Sequence, residues 1–151
     1  AGPLLLLESD LIYEAAALAA LRDEASYILA SGETGSGDEV YIWTRDGQDG
    51  GAVFDVMSKD LAAVERRHFG ELVGISRFTA EDAERLKNAA EAVLSQDSAA
   101  EYETSIVHMA KSYDIACHKI DDLAWSEIDS EDMYAHAVGT VWPKIALRDA
   151  S

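Results

Sequence analysis

The feature that most constrains this chain is a series of short apolar runs, each ended by turn residues and separated by segments with helical spacing. The first run, residues 3–8, is continuous and stops at Ser9 and Asp10, which is typical of a strand buried on both faces. No run approaches the ~20 residues that a membrane span needs. A second apolar stretch covers residues 26–29, and strands are predicted for residues 40–44, 52–57, 71–78, 115–120 and 124–129.

Two of these strands flank a turn segment, residues 45–51, that contains two Asp-Gly pairs. The two strands are therefore predicted to form an antiparallel hairpin. Because strands alternate with helices along the chain, the predicted fold class is α/β, with a mixed, mainly parallel sheet, flanking helices and this hairpin. No linker divides the chain, so residues 1–151 are predicted to form a single domain.

Capping patterns predict where helices begin. Thr79, with Asp82 three residues later, resembles a capping box and predicts a helix that ends near Gln96. Two further helices are predicted, one from the pattern at Ser98 and Glu101, and a last one from Ser130 to about Val141, with Pro143 as its stop.

The charge of the chain excludes several classes of partner. Lys and Arg number 12 against 29 Asp and Glu, a formal net charge of −17. Such a surface repels phosphate backbones and anionic lipids, so no nucleic acid and no membrane is predicted as a partner. The alternative is that much of the charge serves solubility alone. The single Cys117 cannot form an intrachain disulfide, which indicates a reducing compartment and predicts a cytoplasmic location.

Glu127 and Asp129 are the most informative candidate residues. In an extended segment alternate side chains share a side, so these two carboxylates are predicted to point together and Ile128 to point away. Close carboxylates repel unless a cation lies between them, and oxygen-rich clusters suit Mg²⁺. The alternative is that Asp129 or Ser130 caps the final helix.

Asp10 lies where the first predicted strand ends. In open α/β sheets ligands gather at the carboxyl ends of strands, so an acid there is well placed for a metal or a nucleotide. The alternative is an N-cap or Asx-turn for the helix that follows. Together with Glu127 and Asp129, Asp10 would form a three-carboxylate Mg²⁺ site suited to phosphoryl chemistry.

Six segments carry a resemblance that extends over nearly the whole chain. They are LLLLESDLIYE (4–14), SGDEVYI (36–42), MSKDL (57–61), GELVGISRF (70–78), YE (102–103) and WSEIDSEDM (125–133). In this order they resemble the later part of nucleotidyltransferases with the nucleotide-diphospho-sugar transferase fold. The similarity is closest to the phosphocholine cytidylyltransferases and to related cytidylyltransferases that activate phosphonates such as 2-aminoethylphosphonate.

The resemblance implies a partial Rossmann-like fold, a reaction and a set of site residues. Asp10, Glu127 and Asp129 match metal-binding acids, which implies a Mg²⁺ cofactor. The implied reaction is nucleotidyl transfer, from CTP in the closest group, to a small phosphate or phosphonate whose oxygen attacks the α-phosphorus and releases pyrophosphate. Tyr102 and Glu103 match an aromatic residue and an acid that bind the ammonium head of the acceptor. The alternative for these two residues is a plain helix surface.

Lys59 and Arg77 are the predicted catalytic cations. Both occur in family-like segments, MSKDL and GISRF. An anionic substrate needs positive charge, which this acidic chain scarcely offers. The alternative is that each residue pairs with a surface acid.

One part of the family pattern has no counterpart in this sequence. The family opens with a Gly-rich loop and a basic residue around the triphosphate, whereas the glycine cluster at residues 32–37 carries Glu33 and is followed by Asp38 and the hairpin. We therefore expect the C-terminal portion of a longer enzyme, which by itself transfers nucleotide slowly or not at all and whose open sheet edges favour a homodimer. The competing hypothesis is a non-catalytic acidic domain of this fold that serves interaction or assembly.

Overall fold

The structure, a computed structural model, describes residues 2–22 and 24–150. Its strands are β1 (Leu4–Leu7), β2 (Leu11–Tyr13), β3 (Tyr27–Ser31), β4 (Tyr41–Asp46), β5 (Ala52–Ser58), β6 (Gly70–Phe78), β7 (Ala116–Ile120) and β8 (Trp125–Glu127). Its helices are α1 (Ala16–Ala19), α2 (Ala80–Leu94), α3 (Tyr102–Ala110), α4 (Glu131–His136) and α5 (Trp142–Asp149), with a 3₁₀ turn at Leu61–Ala63 and a π-helical turn at Ala137–Val141. None of the helices described is long and apolar enough to cross a membrane.

Six strands form one mixed sheet in the order β1–β6–β3–β7–β5–β4, and the first residues of β4 also pair with β6. The predicted mixed α/β class is confirmed, and β4 and β5 form the predicted antiparallel hairpin. Among the described residues, β3 and β7 form the single parallel pair, whereas the other pairings are antiparallel. The antiparallel share is therefore larger than predicted.

The first strand differs from its prediction. β1 pairs with β6 along one edge, and Leu4, Leu5 and Leu7 are 39–47% exposed, so the predicted burial on both faces is wrong. An apolar run alone does not distinguish a central strand from an edge strand, because burial depends on what packs over the strand. No strand within the described part of the chain pairs with the other edge of β1, and dimerisation through that edge remains a prediction.

Two apolar cores lie on the two faces of the sheet. Side chains alternate along a strand, so β3 directs Ile28 and Ala30 into one core and Leu29 into the other. α2 and α3 pack into the first core through Leu86 and Ile106. The second core receives α1 and the separate two-stranded sheet β2–β8, which carries the candidate site.

The first long helix follows its capping pattern and the second does not. The Thr79 hydroxyl accepts a hydrogen bond from the Asp82 amide at 3.1 Å, so the predicted start of α2 is confirmed. α3 begins at Tyr102, not after Ser98. The Asp97 carboxylate accepts a hydrogen bond from the Ala99 amide at 3.0 Å, and this local turn replaces the helical turn that the Ser98 pattern predicted.

The last helical region begins as predicted but continues past its predicted stop. The Ser130 hydroxyl caps α4 by accepting a hydrogen bond from the Met133 amide at 3.2 Å. Pro143 was predicted to end the region, which is wrong, because the π-helical turn interrupts the α-helix first and Pro143 then lies in the first turn of α5. Pro143 lacks the N–H that a continuous α-helix would direct to the carbonyl four residues earlier, and the helix is π-helical immediately before it.

Candidate functional site

A two-stranded ribbon, β2 paired with β8, brings the beginning of the chain to its later part. The register places Leu11 opposite Glu127 and Ile12 opposite Ser126. Beyond the strands, the amide of Ile128 donates a hydrogen bond to the carbonyl of Asp10 at 2.9 Å. This pairing holds Asp10 and Glu127 at the same end of the ribbon.

Three carboxylates meet at this end of the ribbon: Glu8, Asp10 and Glu127. Each offers one oxygen, and these oxygens all lie within 4.8 Å of one another. Asp10 Oδ1 is buried and has no hydrogen-bond partner among the described residues, a state that a buried polar atom rarely keeps. The N-cap alternative for Asp10 is not what the structure shows, because Ala15 occupies the N-cap position of α1.

A second set of carboxylates shares Glu127 with the first. Asp38, Glu127 and Asp129 also offer oxygens within 4.8 Å of one another, so Glu127 and Asp129 do point together. Ser130, not Asp129, provides the side-chain cap of α4, which leaves the Asp129 carboxylate for this set. Of the three predicted acids, Glu127 thus belongs to both sets, whereas Asp10 belongs to the first and Asp129 to the second.

The surroundings of Glu127 perturb its acidity. Its pKa is raised to about 7, first by burial and then by the negative charges of Asp129, Glu8 and Asp10. The ionised form is disfavoured because desolvation and like charges act in the same direction. A cation held between these oxygens would relieve both.

The carboxylates border a cavity of about 680 Å³. Five predicted site residues line it: Lys59, Tyr102, Glu103, Glu127 and Asp129. Asp10 and Arg77 are not among the lining residues. The cavity is strongly acidic, with further carboxylates from Glu8, Asp38, Glu39, Glu71, Glu101 and Asp132.

The two predicted cations have different surroundings. Among the residues that the structure describes, Lys59 is the single Lys or Arg that lines the cavity. Its Nζ lies 2.7 Å from Asp38 Oδ1, and 61% of its side chain is exposed. The hydrogen bond to Asp38 is the largest cause of its raised pKa. Arg77 lies at the other end of β6 from the cavity residues Glu71 and Leu72, and its Nη1 donates to the carbonyl of Ala25 at 2.7 Å. The structure does not bring Arg77 to the site.

Tyr102 and Glu103 begin α3 at the wall of the cavity. The Tyr102 hydroxyl donates a hydrogen bond to Glu8 Oε1, and burial, followed by Glu8, raises the pKa of Tyr102 far above its ordinary value. Glu103 Oε2 is buried with no hydrogen-bond partner among the described residues. Burial is also the largest cause of the raised pKa of Glu103. This wall therefore presents an aromatic ring beside a carboxylate of which one oxygen, Oε2, has no hydrogen-bond partner among the described residues.

A buried acid supports the opposite wall. Glu71 is 2% exposed, and its Oε2 accepts hydrogen bonds from the amide and hydroxyl of Thr34 at 2.9 and 2.7 Å. Burial raises the pKa of Glu71. The bonds hold the glycine-rich loop against β6, where Gly35 and Gly37 adopt φ values of 69° and 93° that few other residues reach.

The sequence patterns predicted no metal-binding role for Glu8 or Asp38 and no structural role for Glu71. A signal for Glu8 was present, because Glu8 and Asp10 are two residues apart, like Glu127 and Asp129, and alternation places such a pair on one side. Asp38 and Glu71 carry no comparable local pattern. Their places depend on how the loop folds back onto the sheet.

Comparison with known proteins shows the fold. No family model matches the chain. The inositol-1-phosphate CTP transferase of T. maritima matches with a TM-score of 0.66 and 14% identity, over 96% of this chain and 56% of that one. The CTP:phosphocholine cytidylyltransferase of Streptococcus pneumoniae matches with a TM-score of 0.56 and 16% identity, over 86% and 54%. The UTP-bound UGPase of Acinetobacter baumannii matches with a TM-score of 0.59 and 10% identity, over 95% and 54%.

These similarities confirm the predicted nucleotide-diphospho-sugar transferase fold over most of the chain. The chain spans about half the length of these three structures, 54–56%. Fold similarity does not transfer an activity, which must be argued from the site.

Proposed function

We propose that this chain provides the metal-binding and acceptor-binding part of a Mg²⁺-dependent nucleotidyltransferase. The reaction is transfer of a nucleotidyl group, cytidylyl from CTP, to a small phosphate or phosphonate, with release of pyrophosphate. The observation that carries the proposal is the convergence of Glu8, Asp10 and Glu127 beside a large cavity. Two of the structural neighbours are named for CTP, which supports the choice of nucleotide.

The residues present fit a hard divalent cation. All the ligand atoms in the two overlapping sets are carboxylate oxygens, the donors that Mg²⁺ prefers. Asp10 Oδ1 is buried without a partner, and Glu127 carries the electrostatic cost of three neighbouring acids. When bound there, Mg²⁺ supplies positive charge against the triphosphate and the departing pyrophosphate.

Lys59 supplies positive charge from the protein itself. Its ammonium is held by Asp38 at 2.7 Å while its side chain remains 61% exposed, so it can exchange this surface partner for a phosphate oxygen at little cost. Its position on the cavity wall places it in reach of a ligand there. Arg77 has no part in this proposal, because its guanidinium bonds elsewhere.

The acceptor head binds at Tyr102 and Glu103. A cationic head group stacks on an aromatic face and pairs with a carboxylate, and Glu103 Oε2 lacks a partner. The acidic lining of the cavity also favours a positively charged head over an uncharged one. We therefore propose an ammonium-bearing phosphate or phosphonate, of the phosphocholine or aminoethylphosphonate type, as the acceptor.

The metal site is tested by titration with Mn²⁺, followed by electron paramagnetic resonance. We expect wild-type protein to bind Mn²⁺, and Glu127→Gln or Asp10→Asn to bind at least about 10-fold more weakly. Asp114→Asn is the matched control, since Asp114 pairs with Arg45 on the surface and does not line the cavity. Equal binding by all four proteins, or none, would support the non-catalytic interaction domain instead.

The transfer step is tested in the intact enzyme by pyrophosphate release from CTP and phosphocholine, with UTP as the competing nucleotide. Release that depends on Glu127 and prefers CTP supports the proposal. Release from UTP alone would overturn the cytidylyl assignment and leave the metal site standing.

We also propose a cytoplasmic location. Cys117 is a free, buried thiol, and burial raises its pKa to about 12. A single unpaired cysteine agrees with a compartment that keeps thiols reduced.

A further inference from the structure

The backbone pairing of the ribbon that carries Asp10 and Glu127 is too short to fix its register alone, although Leu11, Tyr13 and Trp125 also pack against the second core. β2 and β8 have three residues each, and an isolated pair of strands is at best marginally stable in water. A slip of one residue would turn every side chain of one strand to the opposite face. The spacing of the site oxygens therefore depends on what fixes the ribbon elsewhere.

The end of the ribbon away from the acids is closed by Glu14. The Glu14 amide donates to the carbonyl of Ala124 at 2.9 Å, and the Ala124 amide donates to Glu14 Oε1 at 2.7 Å. Glu14 is 4% exposed, and a buried carboxylate requires hydrogen-bond partners. Three residues of extended chain lie between Asp10 and Glu14, so their Cα atoms are about 13 Å apart.

Arg148, near the end of α5, supplies the charge that Glu14 needs. Its Nη1 donates to Glu14 Oε1 at 2.8 Å and to the carbonyl of Asp122 at 2.7 Å, and its Nη2 contacts Asp122 Oδ2 at 3.2 Å. One guanidinium thus bridges the segment that continues β2 and the segment that precedes β8. The planar guanidinium donates in fixed directions and so orients both segments relative to each other, which the compact ammonium of a lysine would not do.

Helix α5 holds the same place by two more contacts. Asp149 accepts hydrogen bonds from the Ala15 amide at 3.0 and 3.2 Å. Ile145 packs with Ala124 and Ile12 in a small apolar cluster. Helix α5 therefore contacts β2 through Ile12, and it contacts the residues that adjoin both strands, Ala15 and Ala124.

We propose that Glu14 and Arg148 are positioning residues. This pair, the Glu14–Arg148 clamp, fixes the register of β2 against β8 and thereby sets the spacing of the Asp10 and Glu127 oxygens. Neither residue lines the cavity. The inference rests on the proposed cation site only for its functional consequence, because the register itself can be measured without a cation.

The direction in which the Mn²⁺ affinity of an Arg148 variant changes distinguishes a positioning role from a purely electrostatic one. Loss of a cation from an already acidic protein should by long-range electrostatics tighten Mn²⁺ binding, whereas a loosened register should weaken it. We expect Arg148→Met to weaken Mn²⁺ binding about 10-fold and Arg148→Lys to recover part of the loss. The matched control is Arg45→Met, which breaks an exposed ion pair with Asp114 and should leave the affinity unchanged or slightly higher.

Hydrogen exchange measures the register directly. We expect Arg148→Met and Glu14→Gln each to speed exchange of the Ile128 amide, which bonds to Asp10, at least about 10-fold. The Leu72 amide, bonded to Val40 in the main sheet, should not change. If Arg148→Met does not fold, Glu14→Gln and Arg148→Lys provide the same comparison.

The two proposals fail in different ways. Wild-type protein that binds no Mn²⁺ overturns the proposed function, while faster exchange at Ile128 still supports the clamp. If Mn²⁺ binds and Arg148→Met behaves like Arg45→Met in both affinity and exchange, the clamp is overturned and the cation site stands. The double variant, Glu14→Gln with Arg148→Met, should bind Mn²⁺ no more weakly than the weaker of the two single variants, because the two residues act as one unit.

Discussion

The phenol of Tyr102 donates its hydrogen bond to the carboxylate of Glu8, 94 residues earlier in the chain. Glu8 also belongs to the carboxylate set with Asp10 and Glu127. One side chain thus joins the wall of the acceptor pocket to the proposed cation site. The first two predictions concern this connection.

Removing the hydroxyl of Tyr102 should lower the stability of the protein and leave the aromatic ring in place. Tyr102→Phe leaves a Glu8 oxygen without its donor, so we expect the free energy of unfolding to fall by about 1–2 kcal/mol, measured by urea denaturation. Tyr134→Phe, at a side chain that is 58% exposed, is the control and should change nothing. A Tyr102→Phe protein as stable as wild type would show that Glu8 gains nothing from the contact.

Gly74 makes room for Glu8, and any larger residue there should displace it. Gly74 has φ 75°, and an added Cβ would lie 2.0 Å from Glu8 Oε2. We expect Gly74→Ala to lower the free energy of unfolding by more than about 1 kcal/mol and to weaken Mn²⁺ binding. Gly139→Ala is the matched control, because a Cβ added at Gly139, in a helical turn, would meet no atom within 4 Å outside the adjoining helix backbone, and alanine is favoured over glycine in helices. Equal effects of the two substitutions would contradict the prediction.

The acidity of Glu127 should make the metal-free protein less stable as pH rises. Its pKa is raised from 4.5 to about 7 by burial and by Asp129, Glu8 and Asp10, so the folded state binds the proton more tightly than the unfolded state. The stabilising contribution is present below about pH 4.5 and is lost as pH rises through about 7. Urea denaturation across this range should show the decline, with a smaller slope in Glu127→Gln.

Divalent cations should reverse that decline. Because Mn²⁺ or Mg²⁺ competes with the proton on Glu127, added cation should raise the free energy of unfolding most at the alkaline end of the range. A pH dependence that is the same in wild type and Glu127→Gln, with or without cation, would refute the assignment of the titration to this residue.

The carboxylate of Glu103 should favour binding of an acceptor with a positively charged head group. We expect Glu103→Gln to weaken phosphocholine binding by about 1.5 kcal/mol, roughly 10-fold, measured by isothermal titration calorimetry. Glu91→Gln, on the exposed face of α2 beside Lys87, is the control for the loss of one negative charge. If both variants bind phosphocholine alike, the acceptor head does not bind at Glu103.

Local patterns predicted local structure well. The Thr79 hydroxyl bonds an amide three residues away, and the hairpin joins strands separated by a short turn. Both depend on residues that are close in sequence. The Ser98 pattern failed within the same range because Asp97 formed a competing turn with Ala99.

The candidate site was predicted only in part. Alternation predicted that Glu127 and Asp129 share a side, and the family resemblance joined Asp10 to them. Arg77 was predicted from the need for positive charge and from its place in a family-like segment, yet its guanidinium bonds the carbonyl of Ala25 away from the cavity. A segment that resembles a family motif predicts the path of the backbone better than it predicts the direction of each side chain.

The sequence by itself determined the elements whose stabilising contacts lie within a few residues, and it determined an acidic chain with carboxylates spaced two apart at both ends. Only the tertiary structure decided that β1 is an exposed edge, that Tyr102 meets Glu8, and that Arg148 reaches Glu14 across 134 residues. Contacts of this range require closure of long loops, whose entropy is repaid by packing in the whole fold. A local sequence pattern therefore does not show whether packing outweighs the entropy of loop closure.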